Sequence, residues 1–241
     1  FLNDYLTPMT DVVLDHGGTV DKYMGDAIMA FWNAPLDDTE HARNSAMAAL
    51  AMRAELAKLN ARWQAEAKAE HRSFPEVRFG VGLNTGICCV GNLGSARRFD
   101  YSAIGDDVNV ASRLEGATKF LGVDIAANGA TRDEAPDLAW LEIDKLVVKG
   151  KSLPIVAHAL VGDEKLAQSQ RFRTLAEKHD AMLEAFRCRN FDKALVFAEE
   201  AASLAPAEIS GLYAFYRGRI LDFLKERPAE DWSPMLTLDE K

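Results

Sequence analysis

The chain of 241 residues is 48% hydrophobic and 27% charged, which suits a globular protein with one sizeable core plus an appendage, or two domains. Its formal net charge of -9 excludes bulk attraction to nucleic acid or to an anionic membrane, so a polyanionic ligand needs a local basic pocket. Three cysteines, Cys88 and Cys89 adjacent and Cys188 distant, form neither a disulfide framework nor a metal spacing and fit a reducing compartment, and no apolar run is long enough to span a bilayer.

In chain order, Leu2, Leu6, Met9, Val12 and Val13 recur at helical spacing until Gly17-Gly18. This helix begins without a capping residue, so the start of the chain reads as cut. Asp21 to Trp32 then reads as a hairpin of two strand-like runs about Gly25-Asp26, with Asp26 held at its tip. Asp37 to about Glu70 is rich in Ala, Met, Leu, Glu, Lys and Arg and predicts a long helix, with Asp37, Asp38 and Glu40 at its positive end and Phe74-Pro75 as its stop. Val77–Leu83 and Ile87–Val90 are expected strands around Asn84-Thr85-Gly86. Gly91 to Arg98 reads as a Gly-rich polar excursion before strand character resumes over Phe99–Ile104. Asp106-Asp107 opens a helix carrying Val108, Val110, Ala111, Leu114 and Ala117, and Val123–Ala126, Trp140–Val148 and Ile155–Leu160 supply later strands. The expected class is α+β, with a mixed sheet and flanking helices ending near Leu160. After Gly162 no strand is expected and helical periodicity runs throughout. Asn190 to Leu195 with Ala198, Ala201, Ala202, Leu204 and Pro206 resembles the second helix of one tetratricopeptide unit, too little for a solenoid, so a packed helical tail is the reading adopted.

Two runs carry chemistry. Lys22 and Asp26 flank the first hairpin's turn, and taken alone they are either an ordinary surface pair or a site with a metal ligand at a rigid tip. Asn109 and Arg113 stand four apart, so one turn above the other on one helix face. An amide and a guanidinium placed so can bind a sugar and a phosphate together. The bland alternative pairs Arg113 with Glu115 or Asp107.

Four ordered motifs together resemble the catalytic domain of the class III adenylyl and guanylyl cyclases over residues 1 to about 160. They are Asp21-Lys22-Tyr23-Met24-Gly25-Asp26; Gly82-Leu83-Asn84-Thr85-Gly86 with Val90-Gly91-Asn92; Ile104 to Glu115; and Val148-Lys149-Gly150-Lys151. The resemblance implies a ferredoxin-like sheet, a catalytic domain over 1–161 and a helical extension over 162–241. It also implies attack of the ribose 3′-hydroxyl of ATP on its own α-phosphorus, giving 3′,5′-cyclic AMP and pyrophosphate with two Mg2+ or Mn2+ ions per site.

By the same resemblance Asp26 is one of two metal-bridging aspartates; the other belongs to a strand that would precede residue 1, so the chain as it stands lacks that ligand. Lys22 falls where adenylyl cyclases donate to adenine N1 and guanylyl cyclases carry an acid. Ser102 falls at the second base-reading position, as in a bacterial subclass with Thr or Ser there; a hydroxyl donates or accepts, so it specifies less sharply than an acid. Asn109 would orient the ribose, Arg113 would neutralise charge on the α-phosphoryl oxygens, and Lys149 or Lys151 would hold the β and γ phosphates. None of the five histidines falls in a motif, and each is expected at the surface or in packing. The family's basic residue before the second motif is Gly80 here, with Arg78 a substitute on the same strand face.

The implied assembly is a head-to-tail homodimer with shared sites, the metal aspartates from one subunit and the base, ribose and α-phosphate residues from the other. Residues 91–101 match an arm that reaches the partner. A cytoplasmic location is expected, free or as part of a longer protein with an N-terminal membrane sensor; no nucleic-acid or membrane contact by this chain is expected. The alternatives are a guanylate cyclase and a catalytically silent dimerising or regulatory domain of the same fold.

Overall fold

The computed structural model describes residues 1–95, 97–148 and 154–238. They divide into two compact units, the first made of 1–79 and 85–109 and the second of 80–84 and the chain from 110 on.

In the first unit, α1 (Leu2–Asp15) buries Met9 and Val13 and exposes its polar stripe, as its spacing predicts. Strands β1 (Thr19–Met24) and β2 (Ala27–Phe31) pair antiparallel about the two-residue turn Gly25-Asp26. Gly25 has φ +69°, the left-handed conformation that two-residue hairpin turns demand. The long helix α2 (His41–Ala69) starts later than its composition suggests, and Asp38 works ahead of it: its carboxylate accepts from the Glu40 N–H at 2.9 Å and from the Asn44 amide at 3.0 Å. Leu56, Leu59 and Trp63 of α2 pack with Met9 in the core of this unit.

The strand expected over Val77–Leu83 shrinks to β3 (Val81–Leu83) for a visible reason. The side-chain amide of Asn60 donates to the Val77 carbonyl at 2.8 Å and accepts from the Val77 N–H at 2.9 Å, so that backbone is satisfied by α2 and pairs with no strand. Arg78 is therefore not on a strand face.

A second correction concerns Gly91 to Arg98. Strands β4 (Cys89–Ser95) and β5 (Arg98–Ile104) pair in unbroken antiparallel register from Cys89 opposite Ile104 to Ser95 opposite Arg98. The supposed excursion is a hairpin arm whose glycines hid it, because backbone pairing does not need the β-branched side chains by which strands are recognised. Ile87 and Cys88 lie before the strand, and Ile87 is exposed.

The next helix, α3 (Asp106–Leu121), begins where Asp106-Asp107 predict, and from Val110 on it belongs to the second unit. There β3, β6 (Ile125–Asn128), β8 (Ile155–Gly162), β7 (Ala139–Val148) and β9 (Leu236–Leu238) form a mixed sheet in the order β3-β6-β8-β7-β9, with β3 parallel to β6, β9 parallel to β7 and the remaining pairs antiparallel. A short helix α4 (Gly129–Glu134) follows β6, capped by the Asn128 side chain, which accepts from the Thr131 N–H at 3.0 Å. Helices α5 (Glu164–Gln168), α6 (Gln170–Arg187), α7 (Phe191–Leu204) and α8 (Ser210–Lys225) follow β8; Asp163, Ser169 and Asn190 cap the first three.

The helical tail does not stand apart. Leu141, Ile143 and Leu146 of β7 share one core with Phe172, Leu175, Met182 and Phe186 of α6 and Tyr216 and Ile220 of α8. Arg219 of α8 donates to the buried Asp144 carboxylate of β7 at 2.9 Å, and Arg187 of α6 donates to Glu142 at 2.5 Å. The expectation of no strand after Gly162 is corrected by β9: Leu236 to Leu238 satisfy the outer edge of β7. Among the described residues no helix is long and apolar enough to cross a membrane.

Candidate active site

The second motif is readable as packing. A Cβ at Gly82 on β3 would stand 2.0 Å from the Ala111 carbonyl oxygen and 2.3 Å from the Glu115 nitrogen, so only glycine lets α3 lie directly on the strand. Gly80 does the same against Thr118, whose Oγ1 would be 2.1 Å from an added Cβ, so no basic side chain fits at that position. Close packing fixes the helix that carries Asn109 and Arg113, four residues and about one turn apart. Asn109 is exposed and Arg113 half-buried.

Asp26 stands exposed at the turn between β1 and β2. Burial, with the Asp26 charge as the smaller cause, holds the Tyr5 hydroxyl above its ordinary pKa. Among the described residues no group of three or more His, Cys, Asp or Glu converges on a point that could hold a metal. Asp26 itself offers one hard-oxygen carboxylate. That suits Mg2+, which binds through one or two carboxylates together with substrate phosphates.

Lys22 and Ser102, read separately from the sequence, meet at a third residue. Asp21 is the extra residue of a β-bulge in β1: Val20 pairs with Ala30 and Lys22 with Met29, leaving Asp21 without a partner opposite. A bulge re-aims a side chain, and here it turns the carboxylate inward, where the side chain is 0% exposed. Its Oδ2 accepts from the Ser102 hydroxyl at 2.6 Å and from the Ala103 N–H at 3.1 Å. Its Oδ1 lies 3.3 Å from the Lys22 ammonium. Ser102 is 4% exposed. The sequence marks Asp21 only as a member of the first motif, with no role of its own. Strict alternation sends neighbouring side chains to opposite faces, and only the bulge overrides it.

Lys149 and Lys151 lie outside the described residues. Of the histidines, His179 shows what a packing role means: its Nε2–H donates to the Glu142 carbonyl at 2.6 Å, and Nδ1 accepts from the Tyr213 hydroxyl at 3.1 Å. Cys88, Cys89 and Cys188 are all free thiols at the surface.

Residues 1–162 match the family model described as the adenylate and guanylate cyclase catalytic domain. Among curated proteins, the chain is 36% identical over 162 residues to adenylate cyclase 1 of Rhizobium meliloti, covering 67% of this chain and 24% of that protein. It is 38% identical over 155 residues to the adenylate cyclase of Anabaena cylindrica, covering 63% of this chain and 30% of that one. The chain therefore spans only about a quarter to a third of the length of these relatives. Among solved structures, the adenylyl cyclase CyaB from P. aeruginosa superposes with a TM-score of 0.59 at 32% identity, covering 67% of this chain and 81% of that one. The guanylyl cyclase Cya2 follows with a TM-score of 0.57 at 27% identity, covering 67% and 79%.

Proposed function

The chain belongs to the class III adenylate and guanylate cyclase catalytic-domain family, and on that premise we propose that it is an adenylate cyclase, converting ATP to 3′,5′-cyclic AMP and pyrophosphate. The observation that carries the choice of ATP is the meeting of Lys22 and Ser102 at one buried carboxylate, which makes a compact pair of groups able to read a purine edge. The similarity to two adenylate cyclases supports the same choice.

In the reaction a bond forms between the ribose O3′ and the α-phosphorus. The bond from that phosphorus to the bridging oxygen of the pyrophosphate breaks, and the hydroxyl proton is lost to solvent. Bound divalent cations, Mg2+ or Mn2+, two per site, supply acidification of the 3′-hydroxyl and charge neutralisation on the triphosphate. Asp26 offers a carboxylate oxygen for them from the rigid hairpin tip. Lys22 donates to adenine N1, and Ser102 reads the neighbouring base edge. Asn109 orients the ribose by its amide, and Arg113 offsets negative charge as it builds on the α-phosphoryl oxygens. Lys149 or Lys151 holds the β and γ phosphates in this proposal.

A head-to-tail homodimer would bring Asp26 of one subunit to Arg113 of the other. Its support is the set of large apolar side chains left exposed on the two hairpins of the first unit: Tyr23, Met24, Phe99, Tyr101 and Ile104. The catalytic domain is proposed to span 1–161, as the family match to residue 162 supports, with 162–241 an extension.

The test is the chain extended upstream by about one strand, which would supply the second metal aspartate, incubated with ATP and Mg2+ or Mn2+, with cyclic AMP measured by chromatography. Asp26→Ala and Arg113→Ala are each expected to remove more than about 99% of turnover, since a lost charge-stabilising group typically costs a hundredfold or more. Arg113→Ala should lower kcat far more than it raises KM. Undiminished rates in either variant refute the site. The likeness to Cya2 favours GTP as the alternative substrate, and the same assay run with GTP decides between them.

A further inference from the structure

The two base-reading residues belong to different two-stranded sheets, Lys22 to the β1-β2 hairpin and Ser102 to the β4-β5 hairpin. No backbone ladder joins β1 to β5, so their spacing must be set by side chains. Asp21 makes that link. It reaches from the bulge in β1 to the Ser102 hydroxyl and the Ala103 amide of β5, and the same carboxylate lies against the Lys22 ammonium.

The direction of the Ser102 hydrogen bond has a chemical consequence. A hydroxyl has one proton and two acceptor lone pairs. Here the proton is directed to Asp21 Oδ2 at 2.6 Å, and the burial of Ser102 keeps water from competing for it. Asp21 Oδ2 accepts from two donors, a hydroxyl and a backbone N–H, while Oδ1 is buried with no hydrogen bond of its own among the described residues and has the Lys22 ammonium 3.3 Å away. What remains on Ser102 for a ligand is acceptor capacity alone. Lys22 has donors alone. Adenine offers an acceptor at N1 and a donor at its 6-amino group, whereas guanine reverses both, with N1–H a donor and O6 an acceptor.

We propose that Asp21 is the positioning residue that sets purine choice. By taking the Ser102 hydroxyl proton and fixing the Lys22 ammonium, it turns an ambiguous serine into an obligate acceptor and matches the pair to adenine rather than guanine. The inference rests on the cyclase reading of Lys22 and Ser102, and it adds a residue that never touches the base. It also removes the ambiguity of Ser102 that its residue type leaves open: the hydroxyl's polarity is decided by its buried neighbour.

The experiment measures kcat/KM for ATP and for GTP in the chain extended upstream by about one strand, unaltered and as Asp21→Asn, Ser102→Ala, the double variant and Lys22→Glu, with a thermal melt of each. Asparagine keeps the shape, but its neutral amide oxygen holds the Ser102 hydroxyl and the Ala103 N–H less firmly than a carboxylate, and its NH2 group faces the Lys22 ammonium in place of Oδ1, so the hold on both base-reading groups is loosened. Asp21→Asn should lower the ATP-to-GTP ratio roughly tenfold, because a mispaired polar group in a base-reading site is strongly discriminated against. Ser102→Ala should lower it by a similar factor, and the double variant by no more than either alone, since one residue acts through the other.

An unchanged ratio in a folded Asp21→Asn variant, even with a lowered Tm, reduces Asp21 to a fold clamp and overturns the proposal. Should Asp21→Asn fail to fold, an unchanged ratio in Ser102→Ala overturns it equally, because there is then no acceptor to position. Failure of the underlying reading looks different: the unaltered chain makes neither cyclic nucleotide, or Lys22→Glu leaves the ratio untouched.

Discussion

His179 shows how burial sets the chemistry of a residue that neither motif nor spacing singles out. Its ring is buried against the Glu142 carbonyl and the Tyr213 hydroxyl, and desolvation pushes its pKa down to about 4, from the ordinary 6.5. The folded state therefore keeps it neutral where the unfolded chain takes up a proton. Stability from this residue is fully present above pH 6.5, falls as the pH drops, and stops falling near 4, where both states are protonated. The window corresponds to about 3 kcal/mol of lost stability. Urea unfolding at pH 7 and pH 5 checks this: His179→Gln should flatten much of the slope between them, and an unaltered slope refutes it. At the same scale Asp21 and Ser102 show why residue type alone is an incomplete description. Serine is a donor or an acceptor by chemistry, and a neighbour 81 positions away in sequence chooses which.

At the scale of elements, the glycine of the second motif is the most consequential small residue. Gly82 lets α3 sit on β3 with the helix backbone where a side chain would be, and α3 carries Asn109 and Arg113. Gly82→Ala should cost about 1–3 kcal/mol by overpacking and lower turnover by displacing that helix. A Tm and a kcat equal to those of the unaltered chain would falsify the packing role. The long periodic elements were legible in the sequence: α1, α2, α3, β7 and β8 all lie where their patterns put them, within a few residues. The elements that were not legible have identifiable causes. Val77 to Gly80 has strand composition, but the N–H and carbonyl of Val77 bond to the Asn60 side chain, a partner invisible in a linear reading. The β4-β5 arm has loop composition but pairs throughout, because its ladder is made by main-chain groups that every residue has.

For the whole molecule, the extension after residue 162 is part of the second unit's core rather than an independent module. Its α6 and α8 bury Phe172, Leu175, Met182 and Tyr216 against β7, and Arg219 neutralises the buried Asp144 there. Ending the chain at residue 162 should therefore leave a large apolar face of β7 open to water. Such a protein is expected to aggregate or to lose cooperative unfolding by calorimetry, and a soluble 1–162 chain with an unchanged melt would show the helices dispensable. The proposed assembly has its own test at this scale. Mixing Asp26→Ala with Arg113→Ala chains should restore about a quarter of normal activity, because in random mixed dimers one of the two shared sites keeps both residues. No rescue on mixing counts against sites shared between subunits.

By itself the sequence determined the family, the α+β class, the helices and strands with strong periodicity, and the identities of Lys22, Asp26, Ser102, Asn109 and Arg113 as candidates. These are local or linear properties: motif spacing, apolar period and turn chemistry survive being read one residue after another. Only the tertiary structure decided that Lys22 and Ser102 converge on Asp21, that a bulge turns that carboxylate inward, and that the helical tail completes the sheet's core. The physical reason is the same in each case. A buried hydrogen bond or a shared core exists only between groups distant along the chain, and what a polar side chain can still offer a ligand depends on which of its hydrogen bonds the fold has already taken.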